Sequence, residues 1–568
     1  MKKIQMVDLK GQYADIKDVV NESIQEVIEN TAFINGPKVH QFQKNLEEYL
    51  DVKHVIPCAN GTDALQIAMM GLGLKPGDEV ITADFTFAAT VEVIALLNLT
   101  PVLVDVDAET FNIDIEAVKK AITPKTKAIV PVHLFGQCAN MEALMAIGKE
   151  HNLYIIEDNA QGIGAKYKYS DGKKAMSGTI GHVASTSFFP SKNLGCYGDG
   201  GAIFTNDDDL AHTIRGIVNH GMYKRYHHDV VGVNSRLDSI QAAVLDAKLP
   251  KLDAYNNARR DAAKKYTEAF AKHPKIITPK TVNGCEGICD TCDCHVFHQY
   301  TLKIVGSDRD ALVQHLNDKG IPCGVYYLIP LHKQKAYLDS RYKEENFTVT
   351  NQLVKEVISL PMHTELDDEQ IAFITKTVID FIDNNSGEPF ARKKQKSGCP
   401  LYLLNALYFV KTQNNAFKRM PLPSFSQVQD KFIYLDKMKI VVTGGLGFIG
   451  SHTVVELQNS GFEVVVIDNL SNASIKVLEN IISITGVEPT FIKLDLKNKA
   501  KVKDFFRAHQ DIKGVIHFAA SKAVGESVEN PLLYYENNIN TLVYVLQELN
   551  KLETANFIFS SSCTVYGQ

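Results

Sequence analysis

Between Leu65 and about Ile382 the chain keeps returning to short, almost unbroken apolar runs. Residues 79–83 read EVITA, 101–106 PVLVDV, 128–134 AIVPVHL and 153–158 LYIIED. A strand with one face in water alternates polar and apolar residues; these do not, so both faces must be covered. Helix-length segments separate the runs. That order specifies an α/β fold, a largely parallel sheet between two layers of helix.

The same pattern marks out domains. Residues 1–250, opening on a helical segment, are expected to form a large α/β domain. A helix-rich stretch follows, and then a smaller α/β pattern built on HQYTLKIV (298–305) and GVYYLI (324–329), giving a second domain over 251–385. Residues 386–437 change character: NSGEPFARKKQKSG is polar and basic, MPLPSFSQVQ is rich in Pro and Ser, and no period emerges. They read as a poorly ordered linker, in which LYLLNALYFV is either a short helix or unstructured. At Met438 order returns with MKIVVTGGLGFIGSH, a strand, a Gly-rich turn and a helix start. VVVIDNLS, FIKLDL, GVIHFAA and NFIFSSS supply further strands, so 438–568 reads as a second doubly wound domain of Rossmann type.

Charge and length exclude several function classes. A formal net charge of −6 provides no basic field for nucleic acid or an anionic membrane. No stretch reaches the roughly 18–20 apolar residues of a membrane span. The polar N-terminus carries no secretory pattern, and ten cysteines in 568 residues do not suggest a disulfide scaffold. A reduced, cytoplasmic protein is expected.

Three short segments in the first domain carry chemistry. Asn60-Gly61-Thr62-Asp63 lies between a strand and the helix ALQIAMMGL, where free N–H groups at a helix start can hold a phosphate. An ordinary helix cap would look the same. Asp158 ends the strand LYIIED, at the carboxyl edge where parallel sheets bind ligands. A surface carboxylate is the plain alternative. Lys192 lies in STSFFPSKNLGCYGDGG, where apolar neighbours would lower its pKa and make the amine nucleophilic. Ser187 and Ser191 add hydroxyls nearby. A Schiff-base lysine, an acid for a pyridine nitrogen and phosphate donors are together what pyridoxal phosphate (PLP) requires.

These segments also carry a resemblance. NGTDALQIAMMGL, ADFTFAATVEV, IIEDNAQGIGA, SFFPSKNLGCYGDGGAIFTND, GVNSRLDSIQAAVL and IPLHKQKAY stand in the order and spacing of the DegT/StrS family of nucleotide-sugar aminotransferases. The likeness covers 1–385 and extends to the members that aminate UDP-2-acetamido-2-deoxy-3-oxo-glucuronate with glutamate. It implies a type I PLP aminotransferase fold and transfer of an amino group to a keto sugar nucleotide in surface-polysaccharide biosynthesis. The expected acceptor is a 3-keto UDP-sugar; a 4-keto sugar is the alternative. By the same resemblance Lys192 carries the cofactor and shuttles a proton, Asp158 pairs with the pyridine nitrogen, and Gln161 approaches the ring's phenolic oxygen. Phe87 stacks on the ring, while Gly61, Thr62 and Ser187 hold the phosphate. Asn234 reaches the phosphate of a second subunit, implying a homodimer. Arg236 suits a carboxylate on substrate or donor, and His332 lines the sugar pocket. Family members with histidine at the lysine position dehydrate instead; Lys192 favours amination.

Cys285, Cys289, Cys292 and Cys294, with His295, form a cluster just before HVFHQYTL. It reads as a loop of reduced thiols or as a tight zinc site. The family pattern does not require it.

In the last domain Gly444, Gly447 and Gly450 follow the strand KIVVT, and Asp468 ends the next strand. That is a dinucleotide-binding turn with the acid that meets the ribose. TGGLGFIGSH, VIDNLSN, HFAASKAVGESVENPL, NNINTL and NFIFSSSCTVYG resemble the start of the UDP-glucose 4-epimerases. The resemblance implies NAD, with Asp495 near the adenine, Lys522 and Asn537 on cofactor or substrate, and Ser562 as the catalytic hydroxyl. The family's Tyr-x-x-x-Lys pair does not follow Ser562 within this sequence. This half is therefore expected not to epimerise, and the junction reads as two adjacent reading frames joined.

Overall fold

The computed structural model describes residues 2–281, 293–384, 438–519, 535–552 and 556–559, and the backbone of 407–411 and 417–419. The chain divides into two compact units, residues 1–391 and 392–568.

A seven-stranded sheet forms the centre of the first unit. Its order is His54–Cys58, Gly201–Thr205, Val183–Ser187, Tyr154–Asp158, Thr126–Val130, Glu79–Ala83 and Thr100–Val104. Gly201–Thr205 runs antiparallel to both neighbours, and the pairings from Val183–Ser187 to Thr100–Val104 are all parallel. The apolar runs behave as expected of two covered faces. Ala128 and Val130 enter one core while Ile129 enters the other; Ile156 and Ile155 divide in the same way. Each such Val or Ile side chain contributes about 1.5–3 kcal/mol on full burial.

A three-stranded antiparallel sheet, Ile276–Ile277, Tyr300–Ile304 and Val357–Leu360, builds a second core with the helices Leu252–Phe270, Arg309–Asp318 and Asp368–Asn384. The small-domain reading changes in two ways. Ile4 packs into this core and the Met362 N–H bonds the Met6 carbonyl, so the first residues belong with the later domain. GVYYLI is not a strand: only Gly324 makes an isolated bridge, to Ser359. Val357–Leu360 takes the place beside Tyr300–Ile304, and the two tyrosines are left to pack elsewhere.

In the second unit five parallel strands run in the order Asn556–Phe559, Ile512–His517, Lys439–Thr443, Glu463–Asp468, Thr490–Lys493, as a Rossmann half requires. The expected patternless linker gives way at two places. Leu407–Lys411 pairs antiparallel with Asn556–Phe559, and Phe417–Arg419 pairs with Leu407–Lys411. The apolar stretch that read as helix or coil thus ends in a strand, because an open sheet edge offers unpaired backbone groups to such a segment.

Glu157 shows how the large sheet fixes its central strand. It is wholly buried on the face opposite Asp158 and accepts from the N–H groups of Gly178 (2.8 Å), Ile180 (2.7 Å) and Gly181 (2.5 Å). His133 Nε2 lies 2.8 Å away. His133 Nδ1 accepts from the Ala139 N–H, so Nε2 carries the proton and donates to Glu157. Glu157→Gln keeps the shape but sets an NH2 among donors. It should cost about 3 kcal/mol, the scale of a broken buried ionic network, read as a lower urea midpoint at unchanged slope.

Candidate active site

The strands ending at Cys58, Ala83, Asp158 and Ser187 deliver their carboxyl ends to one rim of the sheet, and the candidate residues follow from those ends.

Beyond Cys58, Asn60 caps the helix Gly61–Gly71 and its side chain accepts the Asp63 N–H at 2.8 Å. The Ala64 N–H goes to the Asn60 carbonyl. The Gly61 and Thr62 N–H groups are then the ones offered to an anion. A Cβ on Gly61 would lie 2.7 Å from Ser187 Cβ, and one on Gly201 would lie 2.4 Å from the Asn60 carbonyl. The turn therefore rests directly on Ser187. Ser235, missed in the sequence, closes it from the other side: its hydroxyl donates to Asp63 (2.7 Å) and accepts from the Ala59 N–H (3.1 Å). That bond gives the Asp63 carboxylate a partner of its own.

Asp158 is 5% exposed. Its Oδ1 accepts from the Ala160 N–H at 3.1 Å and its Oδ2 from Thr90 Oγ1 at 2.8 Å. Gln161, also buried, has a fixed amide orientation. Its Oε1 accepts from the Phe135 N–H, a group that can only donate, so its NH2 must face the site, where it bonds Tyr327 Oη at 3.2 Å. Phe87 is 59% exposed beside the Tyr327 ring, 6.2 Å between centroids. Its bare ring at this rim leaves a face that a flat ligand could meet. Tyr327, from the segment that read as a strand, is the second residue missed.

Lys192 lies in a tightly held loop. Its N–H bonds the Phe189 carbonyl, and a Cβ on Gly195 would meet the Pro190 carbonyl at 2.4 Å. Asn193 donates to the Val296 carbonyl (2.9 Å) and Asn256 (2.7 Å), and buried Lys248 donates to the Gly195 carbonyl (2.7 Å). Burial of the Lys192 amine pushes its pKa down to about 8, against the opposing pull of Asp158. The amine is thus neutral and nucleophilic far closer to neutrality than an exposed lysine.

Other candidates fall differently. His332 is held in place by Asp84 and Phe347. It is 5% exposed, its Nδ1 lies 2.6 Å from Asp84, and its ring stacks on Phe347 at 4.3 Å. The Asp84 carboxylate also accepts the His332 N–H, so this pair pins the 330–347 segment to the end of a sheet strand. Asn234 is exposed and Arg236 partly buried, on either side of Ser235. Of the cysteine cluster, Cys294 is buried and Cys285, Cys289 and Cys292 lie outside the described residues.

In the second unit Gly444 has φ +68°, and a Cβ there would lie 2.8 Å from the Ala519 nitrogen; one on Gly450 would lie 2.2 Å from the Gly444 carbonyl. Gly447 is the N-cap of the helix Phe448–Asn459. Asp468, 8% exposed, accepts from the Leu446 N–H (3.1 Å) and the Leu470 N–H (2.9 Å). Asp495 accepts from the Lys497 N–H and lies near the Lys497 amine, on the surface. The turn and Asp468 fit a dinucleotide. Lys522, Ser562 and the Asn537 side chain lie outside the described residues.

Comparison with known proteins agrees with this geometry. Residues 14–379 match the model of the DegT/DnrJ/EryC1/StrS aminotransferase family. The chain belongs to that family. Residues 440–568 match the NAD dependent epimerase/dehydratase family, so an epimerase-type domain follows the aminotransferase. The chain is 46% identical over 374 residues to the UDP-2-acetamido-2-deoxy-3-oxo-D-glucuronate aminotransferase of Pseudomonas aeruginosa, covering 65% of this chain and 98% of that protein. It is 45% identical over 380 residues to a pleiotropic regulatory protein of Geobacillus stearothermophilus, covering 66% and 98%. S. venezuelae DesV, solved in complex with a ketimine intermediate, superposes with a TM-score of 0.63 at 35% identity, covering 67% of this chain and 99% of DesV. The first unit is a PLP-dependent sugar aminotransferase, and the cradle at Gly61 and Ser187, the buried Asp158 and the desolvated Lys192 fit that cofactor.

Because burial favours the neutral amine, the apoenzyme should capture added PLP faster as pH rises, about tenfold per unit below pH 8, and level off above it. Stopped-flow absorbance checks this. A profile still climbing steeply at pH 9.5 would mean an ordinary lysine.

Proposed function

We propose that residues 1 to about 385 transfer an amino group from glutamate to a 3-keto UDP-sugar, as a cytoplasmic homodimer. The observation that carries the reading is Lys192, its amine desolvated and set within electrostatic reach of Asp158. Two relatives named for 3-keto UDP-sugar substrates, 46% and 41% identical, support the acceptor.

Bound PLP supplies an electron sink for cleavage of a C–H bond next to nitrogen. The chain's own groups do the rest. Asp158 holds positive charge at the ring nitrogen, and the Gln161 NH2 donates to the phenolic oxygen. Phe87 covers one ring face and excludes water from it. Gly61, Thr62 and Ser187 anchor the phosphate. Lys192 Nζ, pinned by its loop, takes and returns the proton at the reacting carbon. Arg236 offers a planar fork to a carboxylate of donor or substrate.

The dimer is supported by the segment leading to Asn234. Tyr226 is 76% exposed and Val231 85%, apolar surface of the kind a second copy covers. Asn234 would then reach the partner's cofactor phosphate. In this reading residues up to about 250 (the first few apart), 251–385 and 438–568 serve as cofactor, small and NAD-binding domains. A PLP-bearing regulator is the second reading, favoured by the name of the 45% identical relative.

Lys192→Ala should lose the visible band of bound cofactor and all amino transfer. A coupled assay with 3-keto and 4-keto UDP- and dTDP-sugars should show glutamate-dependent product with the 3-keto UDP-sugar. Glutamate turnover without any amino sugar would support the regulator. NADH fluorescence on the full chain should report binding that Asp468→Ala weakens about tenfold, the worth of one ribose hydrogen bond to a charged group.

A further inference from the structure

The segment that follows the strand Glu79–Ala83 does three jobs in seven residues. Asp84 pins His332, Phe87 stands bare at the rim, and Thr90, in the first turn of the helix Ala89–Leu96, points its hydroxyl inward. Thr90 is 1% exposed and its Oγ1 lies 2.8 Å from Asp158 Oδ2. An ionised carboxylate only accepts, so Thr90 must be the donor.

The other oxygen, Oδ1, is held by the Ala160 N–H, on the same chain turn as Asp158 itself. That bond restrains one oxygen only, from within the same turn, and the torsion about Cβ–Cγ has little intrinsic preference of its own. A second donor from a different element fixes the plane. It also ties the strand end that carries the acid to the helix start whose preceding loop carries Phe87. The groups meeting the edge and the face of one flat ring are thereby joined through a single hydroxyl.

We infer that Thr90 is a positioning residue, which sets the Asp158 carboxylate against the ring nitrogen of PLP. This rests on the aminotransferase reading above, but only on its cofactor and not on its sugar. Neither composition nor spacing singles out this threonine among the residues of ADFTFAATVEV, and its job is visible only once two distant segments are brought together.

The test uses the full-length holoenzyme and three variants. Thr90→Val keeps the volume and removes the donor, Thr90→Ser keeps the donor, and Thr90→Cys supplies a weaker one. The readouts are the equilibrium constant for PLP release, the pH at which the visible spectrum of bound cofactor changes, and the rate of the half-reaction with glutamate. Thr90→Val should release PLP more readily, move the spectral transition by about one pH unit, and slow the half-reaction roughly tenfold, the ratio one hydrogen bond to a charged group supports. Thr90→Ser should restore all three to within about threefold and Thr90→Cys should fall between. If Thr90→Val fails to fold, the order of wild type, Ser and Cys still decides. Wild-type spectra and rates in Thr90→Val, or in Thr90→Cys where Val does not fold, would overturn the inference; so would a Ser variant no better than Val. Those outcomes leave the aminotransferase reading standing. A wild-type protein that binds no PLP overturns both.

Discussion

Two consecutive carboxylates at the end of one central strand set the geometry on which the first unit depends. In a strand, neighbouring side chains point to opposite faces, so Glu157 and Asp158 cannot share a partner. Glu157 goes to the back and saturates itself with three backbone N–H groups and His133. With that anchor made, a one-residue slip would bring Glu157 to the ligand side and leave a buried cluster of donors empty. Asp158 faces the rim because Glu157 does not.

From there the site assembles by short connections between strand ends. Ser187 ends the neighbouring strand and supports the Gly61 turn, whose close approach tolerates no Cβ. The loop after Ser187 carries Lys192 and is tied to the later domain through Asn193 and the Val296 carbonyl. The lysine thus has little freedom to follow solvent, and its amine loses hydration that only Asp158 partly replaces. Depressed basicity and fixed position come from the same packing, so a catalytic amine here needs no special residue beside it.

Much of this was legible in the sequence. Unalternating apolar runs do make a sheet with both faces covered, and Asp158, Ser187 and the Asn60–Asp63 turn do stand at strand ends. The rest was hidden for physical reasons. GVYYLI has the composition of a strand, but only Gly324 bridges the sheet, to Ser359, and Tyr327 meets Gln161 instead. His332 is picked out by the family's IPLH segment, but its bonds to Asp84, which hold that segment to a strand end, join residues far apart in sequence. Ser235 and Thr90 act through hydrogen bonds to segments far away in sequence, and such pairs leave no local period. In the second unit, pairing of Leu407–Lys411 with the outer strand depends on an open edge that no local pattern announces.

The two units answer different questions with one principle. In each, ligand groups meet the carboxyl ends of parallel strands, where a glycine turn admits the backbone and an acid ends a strand. In the first, Asp158 is the acid proposed to meet the cofactor ring, and it is braced by a side chain from another element. In the second, Asp468 is braced by the backbone N–H groups of Leu446 and Leu470, one of them from the glycine turn itself. Both carboxylates are thus held at both oxygens, each by two donors from different places. The difference is that one of the donors to Asp158 is a hydroxyl on another element, which a single substitution can remove, whereas the donors to Asp468 are backbone groups that substitution leaves in place.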